Sequence, residues 1–361
     1  MLNPLAARRA LYFRLNSAIA QLDDEQLRAR FATEEAEPGW GRNHILEIEQ
    51  TKVFVKRIPL TDLEAANQFS TRNHYGLPTY YNYGVGSAGF GVFRELVAHI
   101  KTTNWVLAGE IENFPLLYHY RITPAMGKHG GVDLEQHQGY VEYWNNSEAV
   151  SNFVLARTNA NYQVILFLEY IPFTASNWLD EHPERAQMVI DDVNQAINFL
   201  HQHDIIHLDA HCDNVVTDGE QAYLSDFGLV LDRSFDLTEE EKSFFDRHRS
   251  YDHAVLLTEV GFIWLSICRK LSDEQKSRLA QRYNIPADIA FWEWTPTLIH
   301  HIKQIIAEEQ LTVHPKLVEL VLKYRDIILL HFNFLVAMRR NPKKDTPYDH
   351  ERLNQLLQET M

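Results

Sequence analysis

The chain has 361 residues, of which 45% are hydrophobic and 23% are charged, a composition typical of a globular protein and unlike that of a disordered or collagen-like chain. Asp and Glu outnumber Lys and Arg by 49 to 34, and the net charge of −15 argues against a general attraction to nucleic acids or anionic membranes, which are polyanions. Two cysteines, Cys212 and Cys268, do not make a disulfide framework, so a reducing, cytoplasmic compartment is expected.

The first 60 residues predict helical structure followed by a β-hairpin. Apolar residues recur every three or four positions in residues 1–35, which is typical of a helix that packs on another element: Leu11, Leu15, Ile19 and Leu22. Between residues 39 and 60, apolar and polar residues alternate on either side of a polar turn at residues 50–52, which predicts two antiparallel strands. Residues 61–92 contain Pro78 and several glycines and predict irregular structure, followed by a helix near residues 93–103.

The middle of the chain predicts two further strands and an exposed loop. Residues 114–122 resemble a strand, and residues 127–139 predict a loop because they contain Gly130-Gly131 and few apolar side chains. Residues 162–171, an apolar run that Pro172 ends, are the strongest strand of the chain.

The rest of the chain predicts mainly helices. A hairpin is predicted around Asp218-Gly219, and capping boxes are predicted at residues 238–241 and 272–275. The most apolar stretch, residues 327–338, is shorter than the ~20 residues that a membrane-spanning helix needs, so we expect a buried core helix. Residues 341–349 predict a solvated linker into a last short helix.

The residues that suggest chemistry lie between 205 and 229. His207 and Asp209 form an H-x-D triplet, Asn214 follows five residues after that aspartate, and the predicted hairpin then leads to Asp226 in a D-F-G triplet. Phosphoryl transfer needs a carboxylate that orients the attacking hydroxyl, and it needs carboxylate and amide oxygens that hold Mg²⁺. One loop and one hairpin with this spacing bring the three side chains into a single cleft.

This pattern, H-x-D-x-x-x-x-N followed by D-F-G, resembles the catalytic and metal-binding loops of the protein kinase-like superfamily. The resemblance implies that Asp209 is the catalytic base, that Asn214 and Asp226 bind Mg²⁺, and that ATP is the phosphate donor. Val53-Phe54-Val55-Lys56 resembles the strand whose lysine contacts the α and β phosphates, which gives Lys56 a catalytic and nucleotide-binding role.

Residues 168–172 resemble the hinge between the two lobes of that superfamily. The resemblance implies that backbone groups of Glu169 and Ile171 meet the adenine edge, while their side chains contribute little. Glu95, on the helix after the predicted lysine strand, is the expected partner of Lys56. The long gap between them implies an insertion at residues 60–92 and leaves Glu64 as an alternative partner.

A glycine-rich cover for the phosphates is the weakest element of the resemblance. Gly39-Trp40-Gly41 precedes the first hairpin, where the family has G-x-G-x-x-G, and the resemblance gives Gly39 and Gly41 a nucleotide-binding role. His44 occupies the third glycine position, so an ordinary Pro-Gly turn is the alternative interpretation.

Three departures from the kinase pattern concern regulation and the acceptor. Leu208 replaces the arginine that captures a phosphate on the activation loop, which argues against that switch. His211 resembles the equivalent residue of aminoglycoside and choline phosphotransferases, and it either donates to the transferring phosphate or hydrogen-bonds within its own loop. Only 26 residues separate Asp226 from Asp252, with no A-P-E triplet between them, so a docking shelf for an extended peptide is in doubt. Asp252 resembles the aspartate that braces the catalytic loop.

The resemblance covers roughly residues 38–335 and implies an α+β, two-lobed kinase-like fold with a small antiparallel sheet in the N-lobe and a mainly helical C-lobe. The predicted units are a helical extension at 1–37, an N-lobe at 38–171 with insertions at 60–92 and 123–160, a helical C-lobe at 172–340 and a tail at 341–361.

We expect an ATP- and Mg²⁺-dependent kinase that acts on a hydroxyl-bearing acceptor, first of all a protein Ser or Thr. A small-molecule kinase of the aminoglycoside or choline phosphotransferase type is the alternative, and a nucleotide-binding pseudokinase is less favoured because Lys56, Asp209, Asn214 and Asp226 are all present. No nucleic acid or membrane partner is expected.

Overall fold

The structure, a computed structural model, describes residues 4–32, 42–126 and 133–360. Helices predominate among them, and the strands form three small antiparallel sheets. The predicted α+β class is therefore confirmed.

The largest sheet has four antiparallel strands in the order β1-β2-β4-β3. Its strands are β1 (Arg42–Ile48), β2 (Thr51–Leu60), β3 (Leu117–Pro124) and β4 (Tyr162–Glu169). The first two strands form the predicted hairpin, with its turn one residue earlier than expected. Glu49 and Gln50 have φ angles of 47° and 61°, the left-handed values that a tight two-residue hairpin requires.

Two helices precede the sheet, α1 (Pro4–Ala20) and α2 (Asp24–Ala32). The predicted helical extension thus breaks into two pieces at residues 21–23. Of the four apolar residues that the three-to-four residue spacing singled out, Leu15 and Ile19 are fully buried, and Leu11 and Leu22 are partly buried. The first helix packs on the sheet, where Asn16 Oδ1 lies 2.9 Å from His119 Nδ1 of β3.

Four helices occur in the segments of the chain that connect β2 to β3 and β3 to β4: α3 (Asp62–Ala66), α4 (Val92–Ala108), α5 (Leu134–Tyr143) and α6 (Glu148–Thr158). The predicted helix near 93–103 is confirmed and is longer than expected, and Gly109 ends it in the left-handed region at φ 83°. The predicted loop over 127–139 is wrong for residues 134–139, which are helical, and residues 127–132 lie outside the described part of the chain. Asp133 caps α5 by accepting hydrogen bonds from the backbone N–H groups of Glu135 and Gln136, and these bonds start a helix that hydrophobicity did not reveal.

Helices and short strands alternate after the four-stranded sheet. The strands are β5 (Phe173–Thr174), β6 (Ile205–Ile206), β7 (Val215–Thr217), β8 (Ala222–Leu224) and β9 (Leu231–Asp232). Strands β7 and β8 form the hairpin that was predicted around Asp218-Gly219. Strand β5 extends this pair to a three-stranded sheet, and β6 pairs with β9.

The remaining helices build the second half of the molecule. They are α7 (Ala175–Glu181), α8 (Ala186–Gln202), α9 (Glu239–Arg247), α10 (Tyr251–Arg269), α11 (Asp273–Arg282), α12 (Thr295–His300), α13 (Ile302–Glu308), α14 (Pro315–Lys323), α15 (Arg325–Arg340) and α16 (His350–Thr360). Both predicted capping boxes are present, at the starts of α9 and α11. The tail is less solvated than expected, because Lys344 is buried and donates hydrogen bonds to the carbonyls of Met338 and Arg339.

Helix α10 is the central helix of this half and packs against α15, the predicted core helix. Within the described residues, α10 is the one helix whose length and apolar composition would suffice to cross a membrane. Because 72% of its apolar stretch is buried inside the protein, it also has the features of an ordinary core helix.

Candidate active site

Lys56 lies in the middle of β2 and connects two acidic residues from different parts of the chain. Its Nζ is 2.7 Å from Glu95 Oε1 in the first turn of α4 and 2.9 Å from Asp226 Oδ2 after β8. Burial opposes a charge on Lys56, but Asp226 and Glu95 outweigh that effect and raise its pKa. Burial likewise opposes ionisation of Asp226, yet Lys56 and the Gly228 N–H lower its pKa to about 2. Both groups are therefore charged at neutral pH.

Glu64, the alternative partner of Lys56, has a different role. Its carboxylate accepts hydrogen bonds from the backbone and hydroxyl of Thr61, which caps α3. It also accepts a hydrogen bond from the backbone N–H of Val92 at the start of α4, at 3.0 Å. Glu64 thus joins the two helices, and Glu95 pairs with Lys56.

The loop between β6 and β7 is anchored from below by Asp252. The backbone N–H of His207 donates to Asp252 Oδ2 at 2.8 Å, and that of Leu208 donates to Oδ1 at 2.6 Å. Asp252 lies in the first turn of α10 and is fully buried. Leu208 has a φ of 68°, a left-handed conformation that these two hydrogen bonds help to hold. The predicted bracing of this loop is confirmed.

Asp209 extends from this loop toward Asn214 and His211. Asn214 Nδ2 donates to Asp209 Oδ2 at 2.9 Å, and His211 Nε2 lies 3.4 Å from Asp209 Oδ1. Burial lowers the pKa of His211, but the carboxylates of Asp209, Glu259 and Asp213 outweigh it and raise the pKa to about 9. The carboxylates around it thus favour the protonated form of the imidazole, whose Nε2 faces the Asp209 carboxylate.

The loop that holds Asp209 and the hairpin that holds Asp226 are joined at Ser225. Its backbone N–H and its hydroxyl both donate to the carbonyl of Asn214, at 2.9 and 2.8 Å. The next residue, Asp226, has a φ of 56°, so the chain turns sharply there. Phe227 is fully buried against the ring of His99 of α4 at 4.9 Å, which ties the hairpin to the helix that carries Glu95.

Asn214 and Asp226 supply oxygen donors that suit a magnesium ion. Both hydrogen atoms of the Asn214 amide face Asp209, because Nδ2 also donates to the Asp209 carbonyl at 2.9 Å, and this leaves the side-chain oxygen as the atom that could bind a cation. Asp226 is ionised, with Oδ1 3.2 Å from the Gly228 N–H. Mg²⁺ typically takes one or two such protein ligands and completes its shell with phosphate oxygens and water.

In the described part of the chain, no three His, Cys, Asp or Glu side chains are grouped as metal ligands. Cys212, next to His211, is buried, and burial raises the pKa of its thiol well above the ordinary value, as in a packed cysteine. Its backbone N–H donates to Glu259 Oε2 at 2.9 Å. Glu259 was missed in the sequence, although it lies seven residues after Asp252 in α10 and thus on the same helix face.

Glu169 ends β4, and its side chain does more than the resemblance implied. Arg8 of α1 donates to both carboxylate oxygens, from Nε at 3.0 Å and from Nη2 at 2.7 Å. The Glu169 carboxylate also accepts the backbone N–H of Leu116 at 3.0 Å. The side chain thus has a structural role that the sequence did not reveal, because it connects the N-terminal helix to the segment that precedes β5. Ile171 lies in the link between β4 and β5.

Gly39 and Gly41 lie outside the described residues.

A different glycine, which the sequence did not single out, lies against Asp209. A methyl group on Gly84 would lie 2.0 Å from Asp209 Oδ1, so the backbone of Gly84 touches the carboxylate. A cavity of about 470 Å³ opens beside this contact, and Asp209, His211 and Glu259 are among its lining residues.

No protein-family model matches this sequence, and the comparison with curated proteins also finds no match.

Proposed function

We propose that this chain is an ATP- and Mg²⁺-dependent phosphotransferase with a two-lobed, kinase-like organisation. The observation that carries the proposal is the position of Lys56 between Glu95 and Asp226, at 2.7 and 2.9 Å. The three residues come from a strand, a helix and a loop that are far apart in sequence, and a lysine held by two carboxylates is arranged to contact the phosphates of a nucleotide.

In the proposed reaction, Asp209 orients the acceptor hydroxyl and accepts its proton. The acceptor oxygen forms a bond to the γ-phosphorus while the bond between that phosphorus and the β–γ bridging oxygen breaks, so ADP leaves. Lys56 binds the α and β phosphates, and Glu95 holds its ammonium group in place. The His211 cation lies close enough to Asp209 to donate a hydrogen bond to the transferring phosphate.

Asn214 and Asp226 would hold Mg²⁺, which neutralises charge on the phosphates when it is bound. Two properties of the chain support this assignment. The amide nitrogen of Asn214 is committed to Asp209, and the Asp226 carboxylate is ionised at neutral pH. Backbone groups of Glu169 and Ile171 remain the proposed contacts for adenine, with Gly39 and Gly41 near the phosphates.

The sheet order supports the two-lobed organisation. The strand that holds Lys56 pairs on one side with β1 and on the other with β4, the strand that leads to the proposed hinge. Helices predominate after that hinge, and the loop with Asp209 follows helix α8. A nucleotide would then lie between the sheet and the helical part.

Two acceptor classes remain in the proposal, a protein Ser or Thr and a small-molecule alcohol. The kinase motifs in the sequence favour the protein acceptor. The contact between Gly84 and Asp209 favours the small-molecule alcohol, because it covers part of the carboxylate of the proposed base.

Incubation of the full chain with γ-labelled ATP and Mg²⁺, with and without a generic protein substrate and a panel of small alcohols, tests the proposal. Transfer of label that depends on Mg²⁺ and is lost in Lys56→Met supports it. Calorimetry that detects no binding of Mg²⁺-ATP would refute it.

A further inference from the structure

We propose that residues 79–90, which we call the wall segment, form a fixed wall beside Asp209 and restrict the acceptor to a compact small-molecule alcohol. This inference rests on the proposed phosphotransferase function and names its substrate class. It starts from Gly84, whose backbone touches the carboxylate of the proposed base. The acceptor hydroxyl must therefore approach the Asp209 carboxylate from a side that Gly84 does not cover.

Gly84 is not required by its backbone conformation. Its φ angle is not positive, so the backbone conformation of Gly84 would also suit an alanine. A Cβ atom there would nevertheless lie 2.0 Å from Asp209 Oδ1 and 3.1 Å from Asp209 Cγ. The close approach to Asp209 is thus the reason that the position needs a glycine.

The wall segment is anchored immediately before Gly84. Tyr83 is buried, and its hydroxyl lies 2.8 Å from His248 Nε2. The ring of Tyr83 packs edge-on against Phe244 and Phe334, with centroid distances of 5.5 and 4.9 Å. Helix α9 and helix α15 therefore both hold this residue.

A second set of anchors follows Gly84 and comes from the insertion at residues 123–160. Tyr143 donates its hydroxyl to the carbonyl of Val85 at 2.7 Å, and Tyr140 donates to that of Gly86 at 3.0 Å. Arg157 Nη1 donates to the carbonyl of Ala88 at 2.5 Å. The far end is tied to the Asp226 loop, because the N–H of Phe90 donates to the carbonyl of Gly228 at 3.0 Å.

These contacts distinguish a built wall from a flap. Tyr81, Val85, Ala88 and Phe90 are all buried, so moving the segment away from Asp209 would expose them to water. The two insertions hold each other, and neither is free to open alone. The wall is a permanent part of the site.

The cavity beside the wall has the size of a small-molecule site. Its volume is about 470 Å³, within the usual range of sites for small ligands. Residues of the Asp209 loop and of helices α7, α10 and α15 line it, and Phe262, Leu335 and Trp292 supply apolar surface. A compact alcohol fits this space beside Asp209. An extended peptide would need a groove that continues past the base, where Gly84 lies.

The first test compares acceptors for the full chain in the presence of Mg²⁺ and γ-labelled ATP. We expect label in at least one alcohol of a panel of sugars, polyols and amino alcohols, and none in casein or in Ser/Thr peptides. The inference is overturned if label enters protein as fast as it enters the best alcohol. It is also overturned if none of the alcohols is labelled. Binding of Mg²⁺-ATP, measured by calorimetry on the same sample, reports separately whether the proposed function survives.

Glycine variants test the wall directly. Gly84→Ala should lower transfer to the small alcohol about 10²-fold, since a displaced base loses its alignment, while the affinity for Mg²⁺-ATP stays within about twofold. Gly139→Ala is the matched control, because Gly139 lies in α5 with nothing within 4 Å of the added methyl group. Equal transfer by Gly84→Ala and wild type would overturn the proposal.

A variant that fills the cavity guards against a folding failure of Gly84→Ala. Ser266 of α10 lines the cavity and is half-buried. Ser266→Phe should raise KM for the alcohol about tenfold with KM for ATP unchanged. Tyr83→Phe, which loosens the wall, should not create peptide transfer. A gain of peptide transfer in that variant would show that the segment is an inhibitory strap, and an unchanged KM for the alcohol in Ser266→Phe would place the acceptor elsewhere.

Discussion

Arg8 in the first helix and Glu169 at the end of β4 form an ion pair with two parallel hydrogen bonds, at 3.0 and 2.7 Å. Both side chains are little exposed, at 12% and 13%. Arg8 also donates to the backbone carbonyls of Glu112 and Phe114. The N-terminal helix is thereby fastened to the segment where adenine is proposed to bind.

Removing this ion pair should destabilise the protein and weaken nucleotide binding. Arg8→Ala leaves the partly buried Glu169 carboxylate without its cation, which costs about 2 kcal/mol, and we expect a severalfold higher KM for ATP. Urea unfolding of Arg8→Ala, Glu169→Gln and the double variant measures the coupling. If the losses of unfolding free energy in the two single variants add up to the loss in the double variant, the two side chains are not coupled and the pairing is contradicted.

The Lys56–Glu95 pair predicts a clear difference between two glutamates. Glu95→Gln should lower phosphate transfer about tenfold or more, because Lys56 loses the group that holds it toward the phosphates. Glu64→Gln removes a helix-capping carboxylate and should lower the thermal midpoint with a smaller effect on turnover. The reverse ranking in a steady-state assay would restore Glu64 as the partner of Lys56.

Asp209→Asn should reduce kcat by about 10²-fold or more through loss of the proton acceptor. The amide keeps an oxygen that accepts the hydrogen bond from Asn214, so the loop should stay in place. Calorimetry should therefore show ordinary binding of Mg²⁺-ATP. Normal turnover in this variant would mean that another group accepts the proton.

Asp226→Asn should weaken nucleotide binding mainly when Mg²⁺ is present. The variant removes the charge that attracts the cation and leaves Lys56 paired with Glu95 alone. Titrations with ATP in Mg²⁺ and in EDTA give the comparison. An equal loss in both conditions would argue against a role in metal binding.

Acid should destabilise the protein below pH 6.5 through buried histidines such as His248. Its Nδ1 is 2.8 Å from the carbonyl of Phe244 and so carries a proton, while Nε2 accepts from Tyr83. Burial lowers the pKa of His248 to about 3. Between pH 6.5 and 3 the unfolded chain binds a proton that the folded chain does not, so stability falls as pH falls.

By about pH 4 this effect amounts to at most about 3 to 4 kcal/mol for His248, at about 1.4 kcal/mol per pKa unit. The double variant Tyr83→Phe/His248→Phe should be less stable at pH 7 and should lose less stability on acidification. Urea midpoints at pH 4, 5, 6 and 7 provide the measurement. Parallel pH profiles for the two proteins would exclude His248 as a contributor.

Local chemistry explains what the amino-acid sequence alone determined about this protein. Apolar spacing and turn residues predicted the first hairpin, β4, α4 and α15, because side chains repeat every two residues in a strand and every three to four in a helix. The H-x-D, Asn and D-F-G spacing predicted one cleft, since the loop and the hairpin that hold these residues adjoin along the chain.

Only the tertiary structure decided which distant groups meet. Lys56 pairs with Glu95 and not with Glu64 because α4 packs beside β2. The spacing of residues within α4 or within β2 does not specify how the two elements pack. Gly84 meets Asp209 because two insertions, neither with a strong periodic pattern, pack on each other and on α9 and α15. Such contacts depend on the balance of many burial and hydrogen-bond energies between elements far apart in the chain, which a local pattern does not encode.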